Sequence, residues 1–168
     1  AMRSSLSRIP GGSRPVSWLA SGMSSNDTDP LAKGTVLNFV SVRVITDDVA
    51  RLVAFYEHVT GIDAAWATQE FAELRTGTAT LAIGHSSTIA LFGPDVAHAA
   101  SNHSAIIEFL VEDVDADHRR LAGQGQEFVQ EPTTMPWGNR SILLRDPDGN
   151  LVTLFAPVSE QAVAKFLR

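Results

Sequence analysis

Glu108 is the residue in this sequence best placed to do chemistry, because it is a single carboxylate in the mostly apolar segment from Ala105 to Val111. On a β-strand it would share one face with Ile106 and Leu110. Burying a carboxylate among apolar side chains is costly unless it has a partner. Three roles are therefore open: an internal ion pair with Arg43, contact with a cationic or hydrogen-bond-donating ligand, or general base catalysis.

Other side chains make a weaker case for metal or nucleophilic chemistry. The chain has no cysteine, which excludes disulfides, thiolate ligands and cysteine nucleophiles. His85, His103 and Glu73 are candidates for an atypical metal site together with Glu108, although such histidines are more often surface loop residues. His118 falls in a predicted helix, where a half-buried histidine is more common than a general base. The sequence has neither a phosphate-binding glycine loop nor a Gly-x-Ser-x-Gly motif.

The composition is that of a globular protein with an acidic body. Hydrophobic residues make up 44% of the 168 residues, enough for one domain or for one domain built from two small halves. Residues 35–168 carry seventeen acidic and nine basic groups, which disfavours a nucleic-acid surface and favours a cationic ligand or simply solubility. No apolar run approaches the roughly 18 residues of a membrane span. We therefore expect a cytoplasmic protein with no nucleic-acid or membrane partner.

Residues 1–34 have the composition of a disordered N-terminal tail. They are rich in Ser, Gly, Arg and Pro and show no apolar periodicity. Pro10 and Pro15, with the glycines between them, interrupt the continuous apolar segment that a signal peptide requires. Met23 is a candidate natural start, which would make residues 1–22 upstream or cloning sequence; a processed targeting peptide is the alternative.

The rest of the chain consists of two similar halves. In the first half, alternating valines predict a strand over 36–45, and Asp47 or Asp48 then caps a helix that ends near Gly61. The apolar stripe of this helix is formed by Val49, Leu52, Val53, Tyr56 and Val59. Short strands are expected near 64–68, 71–75 and 80–83. A connection follows over 86–103, in which 89–92 is a candidate for local strand structure.

The second half repeats this pattern at an offset of about 67 residues. A strand over 105–111 precedes a helix capped by Asp113 or Asp115 and ended by Gly123 and Gly125. Strands are expected near 127–130, 141–145 and 151–155. A terminal helix over 159–167 places four apolar residues at helical spacing, Ala162, Val163, Phe166 and Leu167. Such internal similarity is a stronger fold signal than any single motif.

Three segments carry a resemblance to the vicinal oxygen chelate superfamily, also called the glyoxalase/bleomycin resistance/dioxygenase group. They are VLNFVSVRVITDDVARLVAFYEHVTG, AIIEFLVEDVDADHRRLAGQG and PWGNRSILLRDPDGNLVTLF. The resemblance covers roughly residues 36–156. It implies a single α+β domain over 35–168, with two βαβββ modules at about 36–92 and 104–156 whose curled mixed sheets surround one cleft.

Strand alternation then divides the side chains between the helix-covered core and this cleft. The expected core set is Val40, Val42, Val44, Ile107, Phe109, Val111, Val152 and Leu154. The loop residue Trp137 is a further cleft candidate, with packing over the sheet edge as the alternative, and Trp66 could belong to either environment. The predicted ligand-binding residues are Phe39, Ser41, Arg43, Ile106, Glu108, Leu110, Trp137, Thr153 and Phe155.

Metal enzymes that this chain resembles take His, Gln or Glu ligands from the first and last strands of each module. The matching positions here are Phe39, Ile106 and Thr153, and the last strand of the first module, 80–83, offers no strong ligand. Phenylalanine and isoleucine cannot coordinate a metal, and a threonine hydroxyl is a poor sole donor. We therefore predict no metal and no other cofactor.

Two functions of different classes follow from the resemblance. The first is a metal-free, homodimeric binding protein of the bleomycin-resistance type, which would confer antibiotic resistance by sequestering an aromatic or cationic drug-like or natural-product ligand. The second is a lyase, isomerase or dioxygenase-like enzyme of the glyoxalase group, with an atypical metal site or with Glu108 as general base. A stand-alone regulatory or accessory domain is a third, weaker reading.

Overall fold

The computed structural model describes residues 38–166, so the predicted N-terminal tail and Leu167 lie outside the described residues. This range contains eight strands and three α-helices. In order, they are β1 (Ser41–Thr46), α1 (Val49–Thr60), β2 (Ala65–Thr68), β3 (Phe71–Arg75), β4 (Thr80–His85), β5 (Ile106–Leu110), α2 (Val114–Ala122), β6 (Gln130–Thr134), β7 (Asn139–Arg145), β8 (Leu151–Pro157) and α3 (Glu160–Ala164). A 3₁₀ helix, Ser86–Phe92, follows β4.

The strands form two four-stranded mixed sheets with the same topology. Sheet 1 has the order β1-β4-β3-β2 and sheet 2 the order β5-β8-β7-β6. In each sheet the first strand runs parallel to the last strand of its module, and the remaining neighbours are antiparallel. This confirms the predicted α+β fold of two βαβββ modules and explains the internal similarity of the sequence.

The two long helices begin and end where capping chemistry places them. Asp48, not Asp47, caps α1, since its carboxylate accepts the Arg51 N–H at 3.0 Å. Asp113 caps α2 in the same way, accepting the Ala116 N–H at 3.0 Å. Gly61 ends α1 in the left-handed region, with φ of 70°. These contacts settle the alternatives that the sequence left open.

One hydrophobic core serves both modules. All five stripe residues predicted for α1 are buried, and they pack with Leu121 of α2 and with the helix-facing residues of both sheets, among them Leu74 and Leu144. Ile107, Phe109, Val111, Val152 and Leu154 join this core as predicted. Because the two modules meet on their helix-covered sides, the opposite face of each sheet is left away from the core.

A buried polar network locks the modules together. The Tyr56 hydroxyl of α1 donates to the Asp146 carboxylate at 2.9 Å, and Asp146 also accepts the backbone N–H and side-chain amide of Asn150 at 2.8 and 2.7 Å. Asn102, in the connection between modules, donates to the Asn150 side chain at 3.0 Å. Burial, followed by the negative charge and hydrogen bond of Asp146, raises the pKa of Tyr56 far above its usual value.

Several predicted boundaries were wrong. The first strand begins at Ser41. Val40 and Val42, which were predicted to lie in the core, are 65% and 45% exposed, because α1 covers β3 and β4 rather than the start of β1. Val44 does pack against the core. The candidate strand at 89–92 is part of the 3₁₀ helix. The sixth strand begins at Gln130 instead of residue 127, and the terminal helix ends at Ala164.

None of the helices within residues 38–166 has the length and apolar character needed to cross a membrane.

Candidate functional site

The candidate site residues lie on the faces of the two sheets that point away from α1 and α2, which we call the open faces. On sheet 1 the register places Arg43, Ala82 and Glu73 side by side across three strands. On sheet 2 it places Glu108 beside Thr153 and Leu110 beside Phe155. Strand alternation places Arg43, Glu108 and Phe155 on the faces opposite their neighbours Val44, Phe109 and Leu154, which pack with the core.

Arg43 is held by an aromatic ring on sheet 1. Its guanidinium carbon lies 5.0 Å from the centroid of the Phe71 ring, a cation–π contact. Gly84 is the β4 partner of Phe71 in the register, and a Cβ built there would lie 3.5 Å from the ring, an ordinary contact, and 3.2 Å from the Thr88 hydroxyl, a tight one. Of the three roles left open for Glu108, the ion pair with Arg43 does not form: within the described residues no Arg43 nitrogen lies within 4.0 Å of the Glu108 carboxylate. Phe71 was not among the predicted site residues, although its place in a predicted strand was.

Sheet 2 presents a more apolar open face. Ile106 and Leu110 are 49% and 54% exposed and flank the exposed Glu108. Thr153, opposite Glu108 on β8, is buried at 7% exposure, and Phe155 is half-buried. A carboxylate with apolar neighbours and solvent access suits a ligand that combines an apolar surface with a cationic or hydrogen-bond-donating group.

The chain end contributes a ring that sequence reasoning missed. Phe166, just after α3, has its ring centroid 5.7 Å from that of Phe155. Its apolar spacing predicted packing onto the body, and Ala162 of α3 is indeed buried. That Phe166 would reach Phe155 depends on how the chain turns after β8, which no local pattern indicates.

The remaining predicted residues lie at the margins of these faces. Phe39 precedes β1 and is 75% exposed, and Trp137 lies in the turn between β6 and β7 at 58% exposure. Trp66 pairs with the core residue Ala72, so it lies on the helix-covered side at the edge of sheet 1 rather than on an open face. Two surface hollows, of about 350 and 480 Å³, lie outside the predicted set, lined by Gly125–Val129 with Arg145 and by Ala50, Trp66, Thr68 and Gln69.

Other charged groups have structural partners. His118 lies 2.7 Å from the Glu131 carboxylate and packs against the Phe128 ring at 4.5 Å. Arg140 holds the Asp115 carboxylate with two hydrogen bonds of 2.6 Å, which together with its charge keep the pKa of Asp115 below its usual value. Glu73 is bound by the neighbouring Arg75. These contacts argue for structural roles. On the open faces, Glu108 is then the acid whose carboxylate is available to a ligand or a reaction.

The residues of this chain do not fit the usual metal site of the enzymes that the sequence resembles. The sequence resemblance aligns Phe39, Ile106 and Thr153 with the ligand positions of those enzymes, and none of the three is a strong metal donor. His85, the histidine at the end of β4, has its Nδ1 within 2.8 Å of the Ser87 hydroxyl. Within residues 38–166, no three histidine, aspartate or glutamate side chains are grouped closely enough to bind one ion. No chemical step is therefore assigned to a metal.

Comparison with known proteins agrees with this architecture. The family model described as Glyoxalase/Bleomycin resistance protein/Dioxygenase superfamily matches residues 38–154. The uncharacterized protein YraH of Bacillus subtilis is 24% identical over 125 residues, covering 71% of this chain and 98% of YraH. The putative glyoxylase CFP32 of Mycobacterium tuberculosis is 28% identical over 120 residues, and the match covers 70% of this chain but only 43% of CFP32.

A solved structure shows the same fold at low sequence identity. The glyoxalase/bleomycin resistance protein/dioxygenase from Nocardioides superposes with a TM-score of 0.63 at 21% identity, covering 77% of this chain and 89% of its own. With the family model spanning most of the two modules, the chain belongs to the glyoxalase/bleomycin resistance protein/dioxygenase superfamily.

Proposed function

We propose that this protein binds an amphiphilic small molecule on the open faces of its sheets without a bound metal, and sequesters it rather than converting it. The observation that carries this proposal is the chemistry of those faces. On sheet 1, Arg43 lies over the Phe71 ring, and on sheet 2, Glu108 lies between the exposed Ile106 and Leu110. The resemblance to metal enzymes of the family aligns Phe39, Ile106 and Thr153 with their ligand positions, and none of these three residues is a strong metal donor.

The proposed ligand has a flat apolar part and a cationic or hydrogen-bond-donating group. Aromatic rings and half-exposed aliphatic side chains offer stacking and apolar contact area. Glu108 offers a carboxylate that no basic side chain of the described residues occupies. The acidic net charge of −6 adds a long-range attraction for cations. Drug-like and natural-product cations share this chemistry, which supports an antibiotic-resistance role.

We further propose that the protein acts as a homodimer in which a second copy covers the open faces. In one chain the open face of sheet 2 carries the exposed apolar residues Ile106 and Leu110. Such a surface is typical of an interface or a ligand site. Light scattering coupled to size-exclusion chromatography is expected to give twice the chain mass of 18.0 kDa; a monomer at micromolar concentration would refute the dimer.

Tryptophan fluorescence tests binding. Titration with bleomycin, and with ethidium as a flat cation, should give a saturable change, because Trp137 lies at the edge of the site. Glu108→Gln is expected to weaken binding of the cation about 2- to 5-fold, the effect of one partly exposed charge pair. Glu112→Gln, an exposed acid just after β5, is the matched control and should leave affinity unchanged. Equal affinities for all three proteins would remove Glu108 from the site.

Metal analysis tests the proposal that the protein binds its ligand without a metal. Protein purified without chelators should contain far less than one divalent ion per chain, and added zinc, nickel or manganese should not change ligand affinity. A stoichiometric ion bound by several side chains would refute the metal-free proposal.

An enzyme of the glyoxalase group is the second candidate. It is favoured by the exposed Glu108 carboxylate, whose direct neighbour on β8 is Thr153. The description of CFP32 as a putative glyoxylase also favours it. Here Glu108 would act as the general base. Mass spectrometry of the titrated compound after incubation distinguishes the two candidates. Unchanged compound supports sequestration, whereas a product whose formation stops in Glu108→Gln supports catalysis.

A further inference from the structure

We infer that Phe166 forms, with Phe155, an aromatic subsite on the open face of sheet 2 that selects ligands with a flat ring. This inference rests on the proposed function only in taking the open faces as the ligand surface. It assigns a specificity-determining residue to the C-terminal end of the chain.

The position of Phe155 places this subsite on the open face. On β8 it alternates with Leu154, which is fully buried in the core, so the two side chains point to opposite faces of the sheet. Leu110 is its direct neighbour on β5, and Ser141 is its neighbour on β7. Phe155 therefore lies near the middle of sheet 2, between two strands, and not at its edge.

The route of the chain after β8 brings Phe166 over this ring. The backbone N–H groups of Val158 and Ser159 both donate to the Gly138 carbonyl, at 2.9 and 3.1 Å, which fixes the start of α3. Ser159 caps the helix by accepting the Ala162 N–H at 3.1 Å, and Ala162 itself is 1% exposed. The helix is thus docked at its first turn and carries Phe166 to 5.7 Å from Phe155, ring centroid to ring centroid.

The exposure of Phe166 leaves a surface for a ligand. The residue is 45% exposed although it packs against Phe155. The ring planes meet at 52°, so the two rings form a tilted pair instead of a closed stack. A third ring placed against this pair gains edge-to-face or offset contacts that a saturated ring of the same size does not gain.

Cysteine tethering tests the subsite directly, because the natural chain has no cysteine that would compete. A Leu110→Cys variant places one thiol on the strand beside Phe155. Ile106→Cys is the matched control, since Ile106 has similar exposure and faces the same way, but lies roughly 13 Å further along the strand. Each variant is equilibrated, under reversible thiol exchange, with equal amounts of a phenethyl disulfide and its cyclohexylethyl counterpart.

The expected result is a preference for the phenyl adduct of about 3- to 10-fold in the Leu110→Cys variant, read from intact masses. The ratio should be near one in Ile106→Cys. Adding Phe166→Ala to Leu110→Cys should abolish the preference, and adding Phe166→Tyr should keep it; circular dichroism confirms that each protein is folded. Equal ratios at the two cysteine positions, or a preference that survives Phe166→Ala, would overturn the inference.

The outcome is separable from that of the proposed function. Absence of bleomycin and ethidium binding, together with the phenyl preference, would refute the proposed function and leave the subsite in place. Binding of those probes without the phenyl preference would refute the subsite alone.

Discussion

The two modules share one topology but contribute differently to the molecule. Module 1 supplies the helix that holds the halves together, since α1 carries Tyr56 into contact with Phe109 and Asp146 of module 2. In return, α2 sends Arg120 to the carbonyls of His58 and Val59, each at 2.9 Å. The modules also differ on their open faces: sheet 1 carries a row of charged side chains, and sheet 2 is mostly apolar with one acid.

This difference shows that two modules of the same topology can have different structural roles. Five residues of α1 are buried, against two of α2, so the longer helix provides most of the helical core. Module 2, in turn, carries the structural turn at Asp146–Asn150 and the docked C-terminal helix. We therefore expect substitutions at matched positions of the two modules to have unequal effects.

The largest expected difference is between Tyr56 and Leu121, which occupy equivalent places on α1 and α2 and are both 0% exposed. Tyr56→Ala removes core volume and also a donor to buried Asp146, so we expect a loss of about 4–6 kcal/mol of unfolding free energy. Leu121→Ala should cost about 2–4 kcal/mol. Urea unfolding followed by circular dichroism measures both. Equal losses would show that the Tyr56–Asp146 contact adds nothing beyond packing.

A second substitution breaks the docking of the C-terminal helix to module 2. A Cβ at Gly138, where φ is 89°, would lie 2.7 Å from the Ser159 Cβ, so Gly138→Ala combines backbone strain with a clash. Gly149→Ala is the control, because φ is 86° there and nothing lies within 4 Å. We expect about 1–2 kcal/mol for the control and a further 1–3 kcal/mol or so for Gly138→Ala. Thermal or urea denaturation that finds both variants equally stable would mean that α3 is not held at this position.

The third prediction concerns alkaline pH and the junction between modules. The pKa of Tyr56 is raised in the folded protein, so the neutral phenol stabilises the fold fully below the unfolded pKa near 10. As pH rises above that value, the unfolded state loses a proton that the folded state keeps, and stability falls by about 1.4 kcal/mol per pH unit from this group. Tyr56→Phe should remove this component of the slope.

The same effect has a direct optical readout, since Tyr56 is the single tyrosine of the chain. Absorbance at 295 nm reports ionisation of this phenol alone. It should stay flat while the protein remains folded and rise together with the loss of circular dichroism. Ionisation near pH 10 in folded protein would contradict the buried Tyr56–Asp146 contact.

The smallest expected effect concerns the helix N-caps, at which the two modules should respond alike. Asp48 and Asp113 cap their helices through the same hydrogen bond of 3.0 Å. Asp48→Ala and Asp113→Ala should each cost about 1 kcal/mol, and the double substitution should be additive because the caps share no contact. A strongly non-additive loss in urea unfolding would mean that the two caps are coupled.

Local signals in the sequence predicted the repeated elements well. Alternation, apolar stripes and capping residues depend on neighbours within a few positions, so α1, its cap and the core faces of β5 and β8 could be identified. Boundaries were less predictable. Val40 and Val42 match the apolar pattern, yet their exposure depends on where α1 lies over sheet 1, which is a long-range property.

The candidate site likewise has features that the sequence predicted and features that it did not. Register and alternation predicted that Ser41, Arg43, Glu108, Thr153 and Phe155 face away from the core. The partner of Arg43 was not predictable, because Phe71 lies on β3 and reaches Arg43 of β1 across the intervening strand β4. Roles of these residues in ligand binding remain predictions for the titrations described above.

The two-module α+β fold follows from the sequence alone, because alternation, apolar stripes and caps depend on residue type and short-range spacing. That Phe39, Ile106 and Thr153 occupy the positions of family metal ligands is what the resemblance implies. Three contacts could be seen only in the folded chain: Tyr56 joins the modules through Asp146, Arg43 lies on the Phe71 ring, and Phe166 packs against Phe155. These contacts link residues far apart in the chain or across a sheet. Their geometry is set by how helices and strands pack, which no local pattern encodes.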